Sequence, residues 1–203
     1  DGTSESAIGI LAIVASLMGV PAATLVLETY SERDDGFLDS LPHMSRHTNG
    51  TAGHFQLEQR DGRYVIGIER EQLRNPLALV ATLAHELGHV ILLGGRFMEP
   101  SDRDHEFMTD LLTVYFGFGI FTANSAFQFR QWQSAGLMGW SASRTGYLSE
   151  SMFGYALALY ARMRDEAKPT WLTFLNANVR SAFKASQRYI QGAETCAVDV
   201  AVS

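Results

Sequence analysis

The pattern of hydrophobic and polar positions predicts a helix and a strand at the start of the chain. Residues 7–27 carry no charged side chain, and the stretch reaches the ~20 apolar residues that a membrane span needs. However, Gly19-Val20-Pro21 interrupts it, and such residues favour a turn. We therefore predict a helix over about 6–18, a turn and then a short strand from about residue 24, and we expect no membrane span.

The next part of the chain has the pattern of a β-hairpin. The segments 55–59 and 64–68 flank an Asp61-Gly62 pair, with apolar and polar residues alternating around it. Asp-Gly is a typical two-residue hairpin turn because both positions tolerate positive φ angles. The pattern therefore predicts a small antiparallel sheet built on a hairpin at about 54–69.

An apolar stripe after the hairpin predicts a buried helix. Asn75 is suited to cap this helix and Pro76 to occupy its first position, while Gly94-Gly95 is suited to end it. Apolar or small residues recur at helical spacing, at Leu77, Val80, Ala81, Ala84, Leu87, Gly88 and Ile91. Three polar residues also lie inside this buried stretch, and because burying polar groups is costly, their presence needs a reason.

Three further helices are predicted in the second half of the chain. One follows Asp104, with an apolar face formed by Phe107, Leu111, Val114, Tyr115 and Phe118. Ser149 is suited to cap a second helix to about residue 166, and a third is expected from Pro169 until Gly192 ends it. Together with the hairpin, these helices predict a mainly helical α+β fold in which the small sheet packs on the buried helix.

Length and composition favour one globular domain. The 203 residues are 46% hydrophobic and 19% charged, and we expect a single domain over 1–203 with a core at about 50–120 and a helical part at about 121–191. A net charge of −6 without a basic run argues against a nucleic-acid partner. The single cysteine, Cys196, excludes an intrachain disulfide and favours a cytoplasmic location. A chain that begins at Asp1 is typical of a trimmed or processed form.

The polar residues of the buried helix have the spacing of a zinc hydrolase site. In His85-Glu86-Leu87-Gly88-His89, the two histidines lie one helical turn apart on the same face, so both can reach one metal ion. Glu86 points about 100° away around the helix, from where its carboxylate can take a proton from a zinc-bound water without binding the metal. The alternative is a pair of core histidines satisfied by hydrogen bonds; the well-bounded, buried helix favours the metal site.

A zinc site needs a third protein ligand, and two downstream acids can supply it. The metzincin class of zinc peptidases is excluded because this chain has Leu92 and Gly95 where that class requires glycine and histidine. Glu106 and Asp110 stand one turn apart on the helix predicted after Asp104. We favour Glu106 as the ligand, with Asp110 accepting the ring N–H of a ligating histidine, and the reverse assignment is the second choice.

On these residues the chain resembles the small, minimal gluzincin-type metallopeptidases, which combine HExxH with a downstream ExxxD. The resemblance covers roughly residues 50–120. It implies a zincin-like fold that binds Zn²⁺ and a strand that borders the cleft and can pair with an extended peptide or protein substrate. The site residues that it implies are His85, His89 and Glu106 on zinc, Glu86 as general base, and Asp110 beside a ligand.

Amide hydrolysis also benefits from a donor to the developing oxyanion, which is worth ~3 kcal/mol. Tyr147 is the first candidate, followed by Tyr155 and His105. The expected function is therefore zinc-dependent hydrolysis of peptide or amide bonds. The alternative is a non-catalytic or highly selective metal-binding module that acts on or binds one dedicated partner. The presence of Glu86 argues against a purely structural metal, which needs no base beside it.

Overall fold

A computed structural model describes residues 3–31, 53–125 and 148–202 of the chain. The helices are α1 (Ser4–Leu17), α2 (Pro76–His89), α3 (His105–Tyr115), α4 (Glu150–Met163) and α5 (Ala177–Val202). The strands are β1 (Leu25–Tyr30), β2 (Gly53–Arg60) and β3 (Arg63–Glu69). Residues 119–125 are helical as well. The predicted α+β class, with helices in the majority, is confirmed.

The three strands form one mixed sheet in the order β1-β3-β2. β2 and β3 are antiparallel, and the turn between them has φ angles of 52° at Asp61 and 74° at Gly62, as a type I′ turn requires. β1 lies on the other side of β3 and runs parallel to it, with Leu25 opposite Tyr64. The prediction of an antiparallel sheet is therefore wrong for β1, because its pairing depends on tertiary packing rather than on a local turn.

The sheet, α1 and α2 enclose one apolar core. Its buried side chains include Leu11, Val14, Ile66, Ile68, Leu83 and Leu87. α2 begins as predicted, since the Asn75 side chain accepts a hydrogen bond from the N–H of Ala78 and Pro76 is the first helical residue. The helix continues into a π-helical turn, Val90–Gly94, and Gly95 caps it. The HExxH segment therefore lies in the helix that forms the centre of this core.

The apolar segments of the described residues include one helix of membrane-spanning length. Residues Pro76–Gly94 have a mean hydropathy of 1.6, but 72% of this stretch is buried inside the protein, as in a core helix. The uncharged stretch near the start of the chain forms the predicted helix, turn and strand instead. α1 ends at Leu17, Gly19 has a φ of 73°, and β1 follows at Leu25.

α4 and α5 form a second apolar core together with α3. Its buried side chains include Val114, Phe153, Leu157, Val179 and Phe183. Gly154 allows α4 and α5 to approach closely, because a Cβ there would lie 2.5 Å from the Cβ of Ala182. α4 begins as predicted, with the Ser149 hydroxyl accepting a hydrogen bond from the N–H of Met152. This core holds α4 and α5 against α3, the helix that carries Glu106.

The last helix begins later than the sequence predicted. The residues after Pro169 form only a short 3-10 helix, and α5 starts at Ala177. Between the two, the Asn124 side chain donates a hydrogen bond to the carbonyl of Phe174 and accepts one from the N–H of Asn176, both at 2.8 Å. These contacts from a distant part of the chain hold the segment out of a continuous helix.

Gly192 lies within α5 rather than at its end, contrary to the prediction. A glycine inside a helix costs only about 1 kcal/mol relative to alanine, and a Cβ at this position would meet no neighbouring atom. Glycine alone therefore does not end this helix, which continues to Val202.

Candidate metal centre

α2 and α3 bring two imidazoles and one carboxylate to a common point. The Nε2 atom of His85 lies 3.1 Å from Oε2 of Glu106, and Nε2 of His89 lies 3.6 Å from the same oxygen. One ligand atom from each of the three residues lies within 4.8 Å of the others. His89 is buried, whereas the side chains of His85 and Glu106 are 13% and 22% exposed. The cluster therefore lies at the edge of the core, where solvent reaches it.

These spacings fit a tetrahedral zinc ion. Two ligand atoms ~2.1 Å from zinc, with a tetrahedral angle between them, lie about 3.4 Å apart. The two distances to the Glu106 oxygen, 3.1 Å and 3.6 Å, lie on either side of that value. Two imidazoles and one carboxylate are also the donor set of many catalytic zinc sites, which keep a fourth position for water or substrate. The three ligand atoms lie within 4.8 Å of one another, which is wider than two ~2.1 Å bonds to one ion can span, so the side chains would close slightly around zinc.

Close packing of α2 against α3 makes this arrangement possible. A Cβ at Gly88 would lie 2.8 Å from Cγ2 of Thr109, a distance that real side chains do not show. Thr109 is fully buried at this contact. The glycine inside the HExxH segment therefore lets α3 approach near enough for Glu106 to reach both imidazoles.

Asp110 contacts His85 on the ring nitrogen that faces away from Glu106. Its Oδ1 lies 3.0 Å from Nδ1 of His85, and its Oδ2 accepts a hydrogen bond from the N–H of Leu148 at 2.9 Å. Asp110 is 3% exposed, so both oxygens are engaged inside the protein. The geometry thus has Glu106 on the Nε2 side and Asp110 on the Nδ1 side, which is the arrangement favoured from the sequence. The link to Leu148, directly before the cap of α4, was not anticipated.

Thr109 is a site residue that sequence reasoning missed. Its hydroxyl oxygen lies 3.2 Å from Nδ1 of His89 and donates a hydrogen bond to the carbonyl of His105 at 2.8 Å. Each imidazole therefore has a partner on Nδ1, Asp110 for His85 and Thr109 for His89. The available signal was weak, because a threonine beside an acid on a helix is common.

Phe55 of β2 is a second residue that was missed. Its ring stacks on the imidazole of His89, with ring centroids 6.2 Å apart and planes 18° from parallel. The alternation around the hairpin predicted that Phe55 lies in a strand, but it did not show which element its ring meets. β2 is at one edge of the described sheet, since β3 separates it from β1. An edge strand therefore passes beside the metal ligands.

Burial and mutual contacts shift the pKa values of the site residues in different directions. Burial raises the pKa of Glu86 to about 7, and burial lowers the pKa of His89 to about 3 with help from the charge on His85. Burial would lower the pKa of His85, but hydrogen bonds to Asp110 and Glu106 outweigh it and raise the pKa well above its usual value. Burial would likewise raise the pKa of Glu106, but the hydrogen bond with His85 lowers it. Without metal, the two carboxylates thus favour the protonated form of His85.

Zinc binding should release about one proton per chain at pH 7. His85 must lose its proton before Nε2 can bind a metal, so zinc and the proton compete for this site. Zinc affinity should therefore rise with pH across neutrality. Isothermal titration in two buffers of different ionisation enthalpy measures the proton count directly. An identical binding heat in both buffers would contradict the assignment of His85 as a ligand. Asp110→Asn removes a charge that stabilises protonated His85, so zinc binding to this variant should release fewer protons.

The three candidates for stabilising the oxyanion differ in their relation to the site. Tyr147 lies outside the described residues, and Tyr155 is a 43% exposed residue of α4. The His105 ring lies beside the ligands, with its centroid 5.7 Å from that of His89. Its Nδ1 is buried without a hydrogen-bond partner in the described part of the chain and lies 3.7 Å from Oε1 of Glu106. Of the two candidates that the structure describes, His105 is the one beside the ligand cluster.

Comparisons with known proteins add no relative from which a role could be carried over. The resemblance to gluzincins therefore depends on the motif residues and their geometry. Neither the protein-family models, nor the curated proteins, nor the solved structures contain a match to this chain.

Proposed function

We propose that the chain is a zinc-dependent hydrolase of peptide or amide bonds. The observation that supports this most strongly is the convergence of two Nε2 atoms on one carboxylate oxygen, while each Nδ1 contacts another residue. This arrangement is typical of zinc ligands whose ring orientation is fixed by outer partners. Three protein ligands are also the number that catalytic zinc sites use, with the fourth position kept for water or substrate.

Glu86 is the proposed general base. Zinc at this site would supply a coordinated water with a pKa lowered toward ~7. Glu86 follows His85 directly on α2 and is only 5% exposed. It is close enough to His85 and Glu106 for their charges to shift its pKa. In the metal-free chain burial raises the pKa of Glu86 to about 7, and the charge of a bound zinc ion would favour the carboxylate form that accepts a proton. We therefore expect Glu86 to take a proton from the attacking water and deliver it to the leaving nitrogen.

His105 is the proposed donor to the developing oxyanion. It lies at the start of α3, directly before Glu106, and its ring lies beside that of His89. An imidazole N–H at this position can donate to negative charge that develops beside the ligands. Tyr147, the first choice from the sequence, remains a candidate.

The substrate is proposed to be an extended peptide segment. β2, an edge strand of the described sheet, passes beside the ligands, because the ring of Phe55 stacks on His89. Edge strands offer backbone N–H and C=O groups that an extended peptide can pair with. A peptide bound in this way would lie across the metal centre with its backbone held.

Zinc-loaded protein is expected to cleave members of a random peptide library, as detected by mass spectrometry of the products. Chelation should abolish cleavage, and one equivalent of zinc should restore it, because the water to be activated depends on the metal. A control incubation with magnesium in place of zinc should remain inactive, since magnesium prefers six oxygen ligands. Tight binding of one zinc per chain without cleavage of any peptide would favour the non-catalytic, partner-binding alternative.

A further inference from the structure

Thr109 lies where α2 and α3 approach most closely, and its two functional groups face different partners. Its methyl group faces Gly88, since a Cβ at that glycine would lie 2.8 Å from Cγ2 of Thr109. Its hydroxyl oxygen lies 3.2 Å from Nδ1 of His89 and 2.8 Å from the carbonyl oxygen of His105. The side chain is fully buried, so water does not substitute for either partner.

The hydrogen bonds of this threonine define the proton on His89. A hydroxyl group carries one proton, and a carbonyl oxygen can only accept. The Thr109 proton is therefore donated to the carbonyl of His105, which leaves the hydroxyl oxygen to accept from Nδ1–H of His89. A neutral imidazole with its proton on Nδ1 has its lone pair on Nε2, the atom that lies 3.6 Å from Glu106.

We propose that Thr109 is a positioning residue that fixes the tautomer of His89 with the proton on Nδ1 and thereby directs Nε2 toward the metal position. The purpose of this tautomer rests on the proposed zinc function, whereas the tautomer itself is a property of the metal-free chain. The two histidines are then held by unlike partners, a carboxylate on His85 and a neutral hydroxyl on His89. A carboxylate increases the basicity of its imidazole more than a hydroxyl does, so His85 is the stronger donor to zinc.

A simpler role for Thr109 would be packing alone. Threonine hydroxyls in helices often bond to the carbonyl four residues earlier, as Thr109 does to His105. Thr113, one turn later, makes a comparable bond to the carbonyl of Asp110 and is also fully buried. It therefore provides a matched control, because His89 donates to the hydroxyl oxygen of Thr109, whereas the hydroxyl oxygen of Thr113 contacts Thr122.

The test is the ¹⁵N NMR spectrum of the histidine rings in the zinc-free protein, together with zinc affinity. Wild type and Thr109→Ser should show the Nδ1–H tautomer for His89, because both keep the hydroxyl. Thr109→Val has the same shape without an acceptor, and should shift His89 toward the Nε2–H tautomer and weaken zinc binding by about 10- to 100-fold. Thr113→Val should leave the tautomer of His89 unchanged.

Retention of the Nδ1–H tautomer in Thr109→Val would overturn the role of Thr109, and so would the same tautomer shift in Thr113→Val. Because the tautomer is read without zinc, a wild-type protein that binds no zinc would contradict the proposed function and not this assignment. If Thr109→Val failed to fold, the tautomer of His89 in wild type and in Thr109→Ser would still test the proposal. An Nε2–H ring in either of these two proteins overturns the proposal.

Discussion

Glu86→Gln should lower the rate of peptide cleavage by about 100- to 10,000-fold while the protein retains its zinc. Glutamine has the same shape as glutamate but cannot accept a proton at neutral pH, so the attacking water loses its base. The three proposed ligands, His85, His89 and Glu106, are unchanged by this substitution. The loss should appear in kcat, measured on a peptide that wild type cleaves, with the zinc content determined on the same sample.

The same substitution should stabilise the zinc-free fold at high pH, which provides a check that the variant is folded. Burial raises the pKa of Glu86 from 4.5 to about 7, so between these values the folded chain binds more protons than the unfolded chain. Wild-type stability therefore falls as pH rises through this window, by about 3 kcal/mol at most. Glu86→Gln has no such carboxyl group, so its stability does not fall in this window. The zinc-free variant should therefore have a higher melting temperature than zinc-free wild type at pH 8 and the same melting temperature near pH 4.

Glu71→Gln is the matched control for this experiment. It makes the same chemical change at a side chain that is 69% exposed and forms a surface ion pair with Arg74. Its activity and zinc content should equal those of wild type. Wild-type cleavage by Glu86→Gln would contradict the proposed role of this residue, even if zinc proved essential.

Glu106→Gln should weaken zinc binding more than Asp110→Asn does. Glu106 faces the two Nε2 atoms, so its replacement removes a charged donor from the metal itself. Asp110 contacts Nδ1 of His85, so its replacement should cost about 10- to 100-fold in affinity, as losses of outer partners do. In Asp110→Asn the new side chain faces two hydrogen-bond donors, the ring of His85 and the N–H of Leu148. Its amide nitrogen cannot accept a hydrogen bond, so it can replace neither carboxylate oxygen.

Competition with a chelating dye at fixed pH measures both dissociation constants. Both substitutions keep the shape of the side chain, so the comparison isolates the chemistry of each carboxylate. The opposite order, with zinc retained by Glu106→Gln and lost from Asp110→Asn, would mean that Asp110 is the ligand. That was the second assignment considered from the sequence, and this pair of variants separates the two.

The features that the sequence predicted well are those that local residues determine. Asn75 and Pro76 begin α2 by chemistry that operates within one turn, and the Asp61-Gly62 pair fixes the hairpin in the same way. The one-turn spacing of Glu106 and Asp110 likewise places both on one face of α3, where both contact His85.

The features that were missed depend on residues far apart in the chain. β1 pairs in parallel with β3, and the two strands share a core with α1 and α2, so the pairing belongs to the tertiary structure. Phe55 meets His89, and Leu148 meets Asp110, through contacts 34 and 38 residues apart. Gly88 entered the sequence analysis only as a small residue of the apolar stripe, and a glycine does not specify which residue approaches it, so the role of Thr109 was not identified.

Zinc K-edge X-ray absorption of the zinc-loaded chain tests the shared metal site most directly. The arrangement of His85, His89 and Glu106 predicts one zinc per chain, with about four nitrogen or oxygen neighbours at ~2.0–2.2 Å and the outer-shell signal of two imidazole rings. Fewer than two imidazoles, a sulfur neighbour at ~2.3 Å from Cys196, or no zinc retained at all would contradict it.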